Sequence, residues 1–187
     1  DEEMEQSFRL KLNDAGADIS ELKAGIRFST SDIGASKVYA SVFYDADGVR
    51  TTCNSGIALE HKGEASPQLY TESCKQLGMV FKESEELIEK LGNMNISDVA
   101  GVVQEIRENY SIFPKGISEK VEAELRIQYP GGGTAIDVYL ALNDIIQRYS
   151  EENKISPTRY LNLSEQVAKL MHLPFERIDQ GEEWKKI

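Results

Sequence analysis

The sequence predicts an α+β fold, in which a small antiparallel sheet of about four strands in the N-terminal third precedes about five helices. Two observations support this class. Apolar and polar residues alternate over much of residues 8–59, and such alternation indicates strands. After Pro67 the apolar residues recur every three or four positions, which indicates amphipathic helices. A run of strands followed by a run of helices is typical of α+β proteins, whose helices pack on one face or end of the sheet.

The expected strands cover residues 8–12, 26–28, 37–45 and 49–59. In the first, Phe8, Leu10 and Leu12 alternate with polar residues. The third is rich in Val, Tyr and Phe, which favour strands. The segment Asp45-Ala46-Asp47-Gly48 lies between the third and fourth strands and ends in glycine, so it predicts a hairpin turn.

The expected helices begin at or near Pro67, Ser97, Ser118, Thr134 and Ser156, residues that are common at helix N-termini. The first is long and covers residues 67–91. Its apolar face carries Cys74, Leu77, Phe81, Ser84, Ile88 and Leu91. The helix at residues 134–149 is apolar around nearly its whole circumference, so we expect it to be central and buried.

Residues 1–187 are long enough for one globular domain with its own core. Within it we expect a β-meander part at residues 1–62 and a helical part at residues 67–175. Residues 176–187 are polar, and we expect them to form a loose tail.

The charge balance bears on possible partners. The net charge is −11, from 21 basic and 32 acidic residues. Duplex DNA binders take much of their affinity from phosphate contacts, so this balance argues against non-specific duplex binding. It leaves open a local basic strip or an acidic surface for a protein partner. The sequence has no apolar run long enough to predict a membrane-spanning helix. The acidic start of the chain differs from the basic start of a secretory signal.

The glycine run Gly131, Gly132, Gly133 leads into Thr134 and the apolar helix. Backbone N–H groups at a helix N-terminus suit an anion, so one interpretation is an anion-binding site at residues Gly131–Thr134. The other is structural: a tight turn, with Thr134 as N-cap and Asp137 in the capping-box position. The spacing matches neither a Walker A loop nor a dinucleotide fingerprint. We favour the structural interpretation.

Basic and aromatic residues are interleaved along the predicted strands. A sheet face of this composition can stack single-stranded bases and bind their phosphates. The candidate nucleic-acid-binding residues are Arg9, Lys11, Arg27, Lys37, Tyr39, Phe43 and Arg50. The alternative is the ordinary polar face of an antiparallel sheet, and the pattern favours it.

A cysteine-dependent enzyme is a further alternative, because Cys53 and the two histidines, His61 and His172, could supply a nucleophile and a base. No nucleophile motif surrounds Cys53, so a packed cysteine at a strand end is the favoured interpretation. The two cysteines and two histidines lack the paired spacing of a metal site. We expect free thiols, no metal and no cofactor.

Two segments resemble the DUF932 family of phage and plasmid proteins of unknown function. They are Arg50-Thr51-Thr52-Cys53-Asn54-Ser55-Gly56 and Gly133-Thr134-Ala135-Ile136-Asp137-Val138-Tyr139-Leu140-Ala141, and their order and separation are similar to the family's pattern. The resemblance implies a mobile element and a location in the bacterial cytoplasm or in association with a virion. It implies no reaction.

These observations favour a non-catalytic binding protein that acts through protein–protein contacts, with a protein partner or by self-association as an oligomer. The alternatives are a single-stranded nucleic-acid-binding protein of the recombination or annealing type and the enzyme that uses Cys53. We expect no membrane association.

Overall fold

The computed structural model describes residues 5–6, 9–10, 12–13, 19–30, 37–52, 57–60 and 67–187, with the backbone alone at 28–30, 37–39, 58–60, 67–70 and 73. Strands lie in the N-terminal part and helices in the remainder, which confirms the α+β class. The four strands of the main sheet are β1 (Leu22–Thr30), β2 (Lys37–Ala46), β3 (Val49–Thr52) and β4 (Ile57–Glu60).

Strand β2 is central in this sheet, and all of its pairings are antiparallel. β1 pairs with it from Leu22 opposite Ala46 to Thr30 opposite Val38. On the other edge, β3 pairs with the C-terminal half of β2 and β4 with the N-terminal half. Four residues, 53–56, separate β3 from β4, whereas two residues separate their partners on β2. The expected fourth strand is therefore split into two short strands.

The turn between β2 and β3 is the one that the sequence predicts. Asp47 has φ +49° and Gly48 has φ +87°. Two successive residues with positive φ are typical of a type I′ hairpin, whose twist matches that of the flanking strands. The backbone N–H of Gly48 also donates a hydrogen bond to Asp45 Oδ1 at 2.9 Å, which holds the turn closed.

The strand expected at residues 8–12 is wrong. Residues 9–10 and 12–13 are helical, while Phe8 and Lys11 lie outside the described residues. Leu12 is buried in the core with Ile19 and Leu22. The Asn13 side chain exchanges two hydrogen bonds of 2.8 Å with the backbone of Ile19, just before β1. An alternation of five residues was too short to distinguish a strand from a helical segment with one buried leucine.

Residues 67–187 contain six α-helices. They are α1 (Pro67–Gly92), α2 (Val99–Asn109), α3 (Lys115–Gln128), α4 (Ala135–Asn153), α5 (Pro157–Lys169) and α6 (Phe175–Asp179), with a 3₁₀ turn at Leu170–His172. Asp98, not Ser97, caps α2, and α3 begins three residues before Ser118. None of the helices that the structure describes has the length and apolarity needed to cross a membrane.

Helix α4 is the centre of the core, as its apolar circumference predicts. Ala135, Val138, Tyr139, Leu142 and Ile145 are each fully buried. The helix contacts α1, α2, α3, α5 and β3, so it joins the helical part to the sheet. On the sheet, Ala40, Val42, Tyr44 and Ala46 are the buried, even-numbered positions of β2. Their opposite face carries the candidate site.

The ends of the helical part differ from expectation in two places. Cys74, expected on the buried face of α1, is exposed, although Ser84, Ile88 and Leu91 on that face are buried. Residues 176–187 were expected to be loose, yet α6 continues to Asp179. Beyond it the Trp184 ring stacks on Tyr110 with centroids 6.3 Å apart.

Candidate functional site

Three of the candidate nucleic-acid-binding residues meet on the sheet face that carries the odd-numbered residues of β2. Phe43 lies on β2, Arg27 on β1 and Arg50 on β3. The guanidinium carbons lie 5.5 Å (Arg27) and 5.8 Å (Arg50) from the centroid of the Phe43 ring. Both distances are within the range of cation–π attraction. We call these three residues the arginine–phenylalanine cluster.

Gly25 makes room for the phenylalanine ring. It is the register partner of Phe43 on β1, and a Cβ atom built there would lie 2.4 Å from Phe43 Cζ. Any larger residue would displace the ring from its place across the strand. Gly25 is not among the candidate residues, because the strand expected at residues 26–28 begins after it. Within the longer β1 it is a glycine inside a strand, which often marks a close approach of another group.

The Phe43 ring packs against the guanidinium of Arg27. The Arg27 side chain is half-buried, and no described residue accepts a hydrogen bond from its buried Nη1 atom. A buried, unsatisfied donor on a charged group is costly.

Arg50 is more exposed and only loosely paired. Its Nε lies 3.6 Å from Asp45 Oδ2, with 56% of the arginine side chain exposed. That separation is longer than a hydrogen bond. The pair is therefore a weak surface ion pair, which solvent and salt screen.

Helix α4 fixes the hairpin that carries Arg50. The Arg50 backbone N–H donates to Gln147 Oε1 at 3.1 Å, and Gln147 Nε2 donates to the Gly48 carbonyl oxygen at 2.9 Å. The Gln147 side-chain amide thus binds two backbone groups of the hairpin, one N–H and one carbonyl oxygen. The position of Arg50 relative to Phe43 therefore depends on the docking of α4.

Among the described residues, the face around the cluster carries acidic as well as basic side chains. Lys23 pairs with Glu21 at 2.9 Å. The hydrogen bond and charge of Glu21 raise the pKa of Lys23 above its usual range. Asp45 is the register partner of both Lys23 and Arg50.

Of the other four candidates, the structure describes the side chain of Arg9 alone. Arg9 lies in the helical residues before the sheet, where its Nη1 donates to the Ser20 carbonyl oxygen. Lys11 lies outside the described residues. Lys37 and Tyr39 belong to β2, opposite Glu60 and Ala58 of β4, and their side chains are not among those described.

The glycine run forms a turn in which the Gly132 N–H donates to the Tyr129 carbonyl oxygen at 3.2 Å. Gly133–Thr134 pairs with Asn95–Ile96 as a two-stranded ladder, β6 with β5. Asp137 Oδ2 accepts hydrogen bonds from Thr134 N at 2.7 Å and from Thr134 Oγ1 at 2.8 Å, and Tyr129 donates its hydroxyl to Asp137 Oδ1 at 2.9 Å. The Asp137 carboxylate thus lies where an external anion would bind. The geometry supports the structural interpretation of residues Gly131–Thr134 over the anion site.

The cysteine and metal interpretations gain nothing from the structure. Cys53 and His61 lie outside the described residues, and His172 is exposed in the 3₁₀ turn. Within the described ranges, no group of three or more His, Cys, Asp or Glu residues is arranged to hold a metal ion.

No protein-family model matches the chain, and neither the curated proteins nor the solved structures include one with significant similarity to it.

Proposed function

We propose that this protein binds single-stranded nucleic acid through the arginine–phenylalanine cluster. The observation that carries the proposal is the convergence of Arg27 and Arg50 on the Phe43 ring. The guanidinium groups offer N–H donors to phosphate oxygens and flat surfaces to bases, and the ring edge adds an apolar contact. An unstacked strand can present both kinds of group to a sheet face.

The charge of the protein favours a single strand over a duplex as the ligand. Net charge −11 opposes long-range attraction of any polyanion. A duplex presents mainly phosphates, whereas a single strand also offers base faces. Contacts to bases do not depend on net charge, so a small cluster of this kind suits a single strand.

The proposal predicts a modest salt dependence. Two arginines provide about two phosphate contacts, and each contact on a single strand contributes about −0.7 to the slope of log affinity against log salt. We therefore expect a slope near −1.4, by the same rule.

The test is fluorescence anisotropy of a labelled oligothymidine titrated with the protein at several salt concentrations. R27A and R50A should each weaken binding and flatten the salt slope by about 0.7. F43L should weaken binding about five-fold or more, because it removes the aromatic surface but keeps an apolar side chain over Gly25. R159A is the matched control, since Arg159 lies 5.7 Å from the Tyr149 ring in a similar pair between α4 and α5. Absence of binding at low salt, or R27A and R50A behaving like R159A, would reject the proposal.

Self-association through protein–protein contacts is a second candidate, and a separate observation favours it. A groove of about 640 Å³ lies between β1 and α1, lined by residues that include Ala24, Ile26 and Phe81. Ile26 on β1 is 37% exposed. Exposed apolar residues beside a groove are typical of interaction surfaces.

Sedimentation velocity over a range of protein concentrations tests this second candidate. We expect a concentration-dependent shift to larger species that I26E abolishes, because Ile26 lines the groove and is exposed. I127E is the control, because Ile127 on α3 is 82% exposed and does not line the groove. A monomer at all concentrations would reject self-association. The phage or plasmid setting remains a separate proposal, which rests on the resemblance of the two sequence segments.

A further inference from the structure

Asp45 lies beside the arginine–phenylalanine cluster in a position to compete with a ligand. In the register of the sheet it stands between Lys23 on β1 and Arg50 on β3, next to the row that contains Gly25 and Phe43. Its Oδ2 atom faces Arg50 Nε at 3.6 Å, while its Oδ1 atom accepts the hydrogen bond from Gly48 N. One carboxylate oxygen therefore holds the turn and the other faces the arginine.

We propose that the Asp45 carboxylate is an internal competitor for ligand phosphate at Arg50 and sets the affinity of the cluster. This inference rests on the proposed nucleic-acid binding. A carboxylate and a phosphate oxygen are acceptors of the same kind for a guanidinium N–H. A phosphate that approaches Arg50 must either displace Asp45 or lie beside its negative charge, and both lower the affinity.

Other arginines of the protein show how a firmly held guanidinium differs. Arg148 is bound by Glu124 at 2.7 Å and by Asp144 at 2.9 Å. Arg107 makes two hydrogen bonds to Glu122, of 2.9 Å and 3.3 Å. Among the described residues, Arg50 has one ion pair, at 3.6 Å, and its side chain is mostly exposed. Its partner can therefore be exchanged for a ligand without breaking a buried network.

The experiment is the same anisotropy titration with D45N. Asparagine keeps Oδ1 as the acceptor for Gly48 N and removes the charge that faces Arg50. We expect D45N to bind oligothymidine at low salt about two- to five-fold more tightly, the range set by an exposed ion pair. E21Q is the control, because Glu21 pairs with Lys23 rather than with Arg50. It should change the affinity less.

A double variant separates direct competition from a general charge effect. In the R50A background, D45N should no longer tighten binding, because the group for which Asp45 competes is absent. Equal affinity of D45N and the wild type, or the same gain in the R50A background, would overturn the role of Asp45. Neither result bears on the proposed function, which is tested by the effects of R27A and R50A alone. D45S, which keeps a short acceptor for the turn, serves if D45N proves unstable.

Discussion

Tyr139 of α4 donates its hydroxyl to the backbone carbonyl oxygen of Thr52 on β3 at 2.6 Å. Both residues are buried, and they are 87 positions apart in the chain. Together with the hydrogen bonds of Gln147, eight residues further along α4, this contact attaches the central helix to the strand that carries Arg50. The helical core thereby positions β3 and, with it, Arg50 of the candidate site.

Y139F removes this hydrogen bond and keeps the ring. We expect a loss of about 1–2 kcal/mol in the free energy of unfolding, because a buried carbonyl oxygen loses a partner. Urea denaturation followed by circular dichroism measures it. Y149F is the control, since the Tyr149 hydroxyl accepts a hydrogen bond from Arg159 at the surface. It should cost less than about 0.5 kcal/mol. Equal costs for the two variants would contradict the role given to Tyr139.

Loss of the Glu122–Arg107 pair between α2 and α3 should lower the free energy of unfolding more than Y139F does. Glu122 is 4% exposed and Arg107 12% exposed at the side chain, and the charge and hydrogen bond of Glu122 raise the pKa of Arg107. E122Q removes the nearest counter-charge of this largely buried guanidinium and leaves only the more exposed Glu108, at 3.7 Å, among the described residues. We expect a loss of about 3 kcal/mol in stability, again by urea denaturation.

E119Q is the matched control for E122Q. Glu119 lies on the same helix and pairs with Lys115 at 3.8 Å, with 52% of its side chain exposed. Surface pairs contribute little, so we expect a change below about 1 kcal/mol. A result in which E119Q costs as much as E122Q would show that burial does not decide the value of these pairs.

Local sequence patterns predicted much of the fold. The hairpin at Asp47 and Gly48 was predictable because only a few residues tolerate positive φ. The capping of α4 by Thr134 and Asp137 was predictable because both residues belong to one turn. The bounds of α1 were predictable because its apolar residues recur at helical spacing between a proline, Pro67, and a glycine, Gly92.

Features that depend on distant residues were not predictable in this way. Cys74 has helical spacing, but whether that turn of α1 is covered depends on what packs there. The convergence of Arg27 and Arg50 on Phe43 required the strand register, which places Gly25 under the ring. The sequence suggested a basic strip because it could not show that Asp45 stands opposite Arg50.

Asp179 illustrates such a distant contact and predicts a pH dependence. Its carboxylate accepts hydrogen bonds from Ser97 N at 2.9 Å and Asp98 N at 3.0 Å, at the start of α2. Burial raises the pKa of Asp179, but hydrogen bonds from the backbone N–H groups of Ser97 and Asp98 outweigh it, so the pKa lies below its ordinary value of 3.8. A lowered pKa means that the contribution to stability is full above the ordinary value and is lost as the pH falls through the folded-state pKa.

The comparison of wild type with D179N tests this dependence. We expect the wild type to be more stable at neutral pH, and the difference in free energy of unfolding to shrink as the pH falls below about 4, where unfolded aspartates become protonated. Thermal or urea denaturation at pH 3 to 7 measures the difference. A difference that stays constant over this range would show that the charge of Asp179 is not the stabilising feature.

Gly132 and Gly131 give a matched pair for the glycine run. Gly132 has φ +90°, and a Cβ atom there would lie 2.5 Å from the Ile96 carbonyl oxygen. G132A therefore combines an unfavourable backbone conformation with a clash against the backbone next to α2. We expect a loss of about 2 kcal/mol or more in the free energy of unfolding. At Gly131 a Cβ atom meets nothing within 4 Å, so G131A should change stability by less than about 1 kcal/mol. If both substitutions were tolerated equally, the tight turn would not be the reason for glycine at position 132.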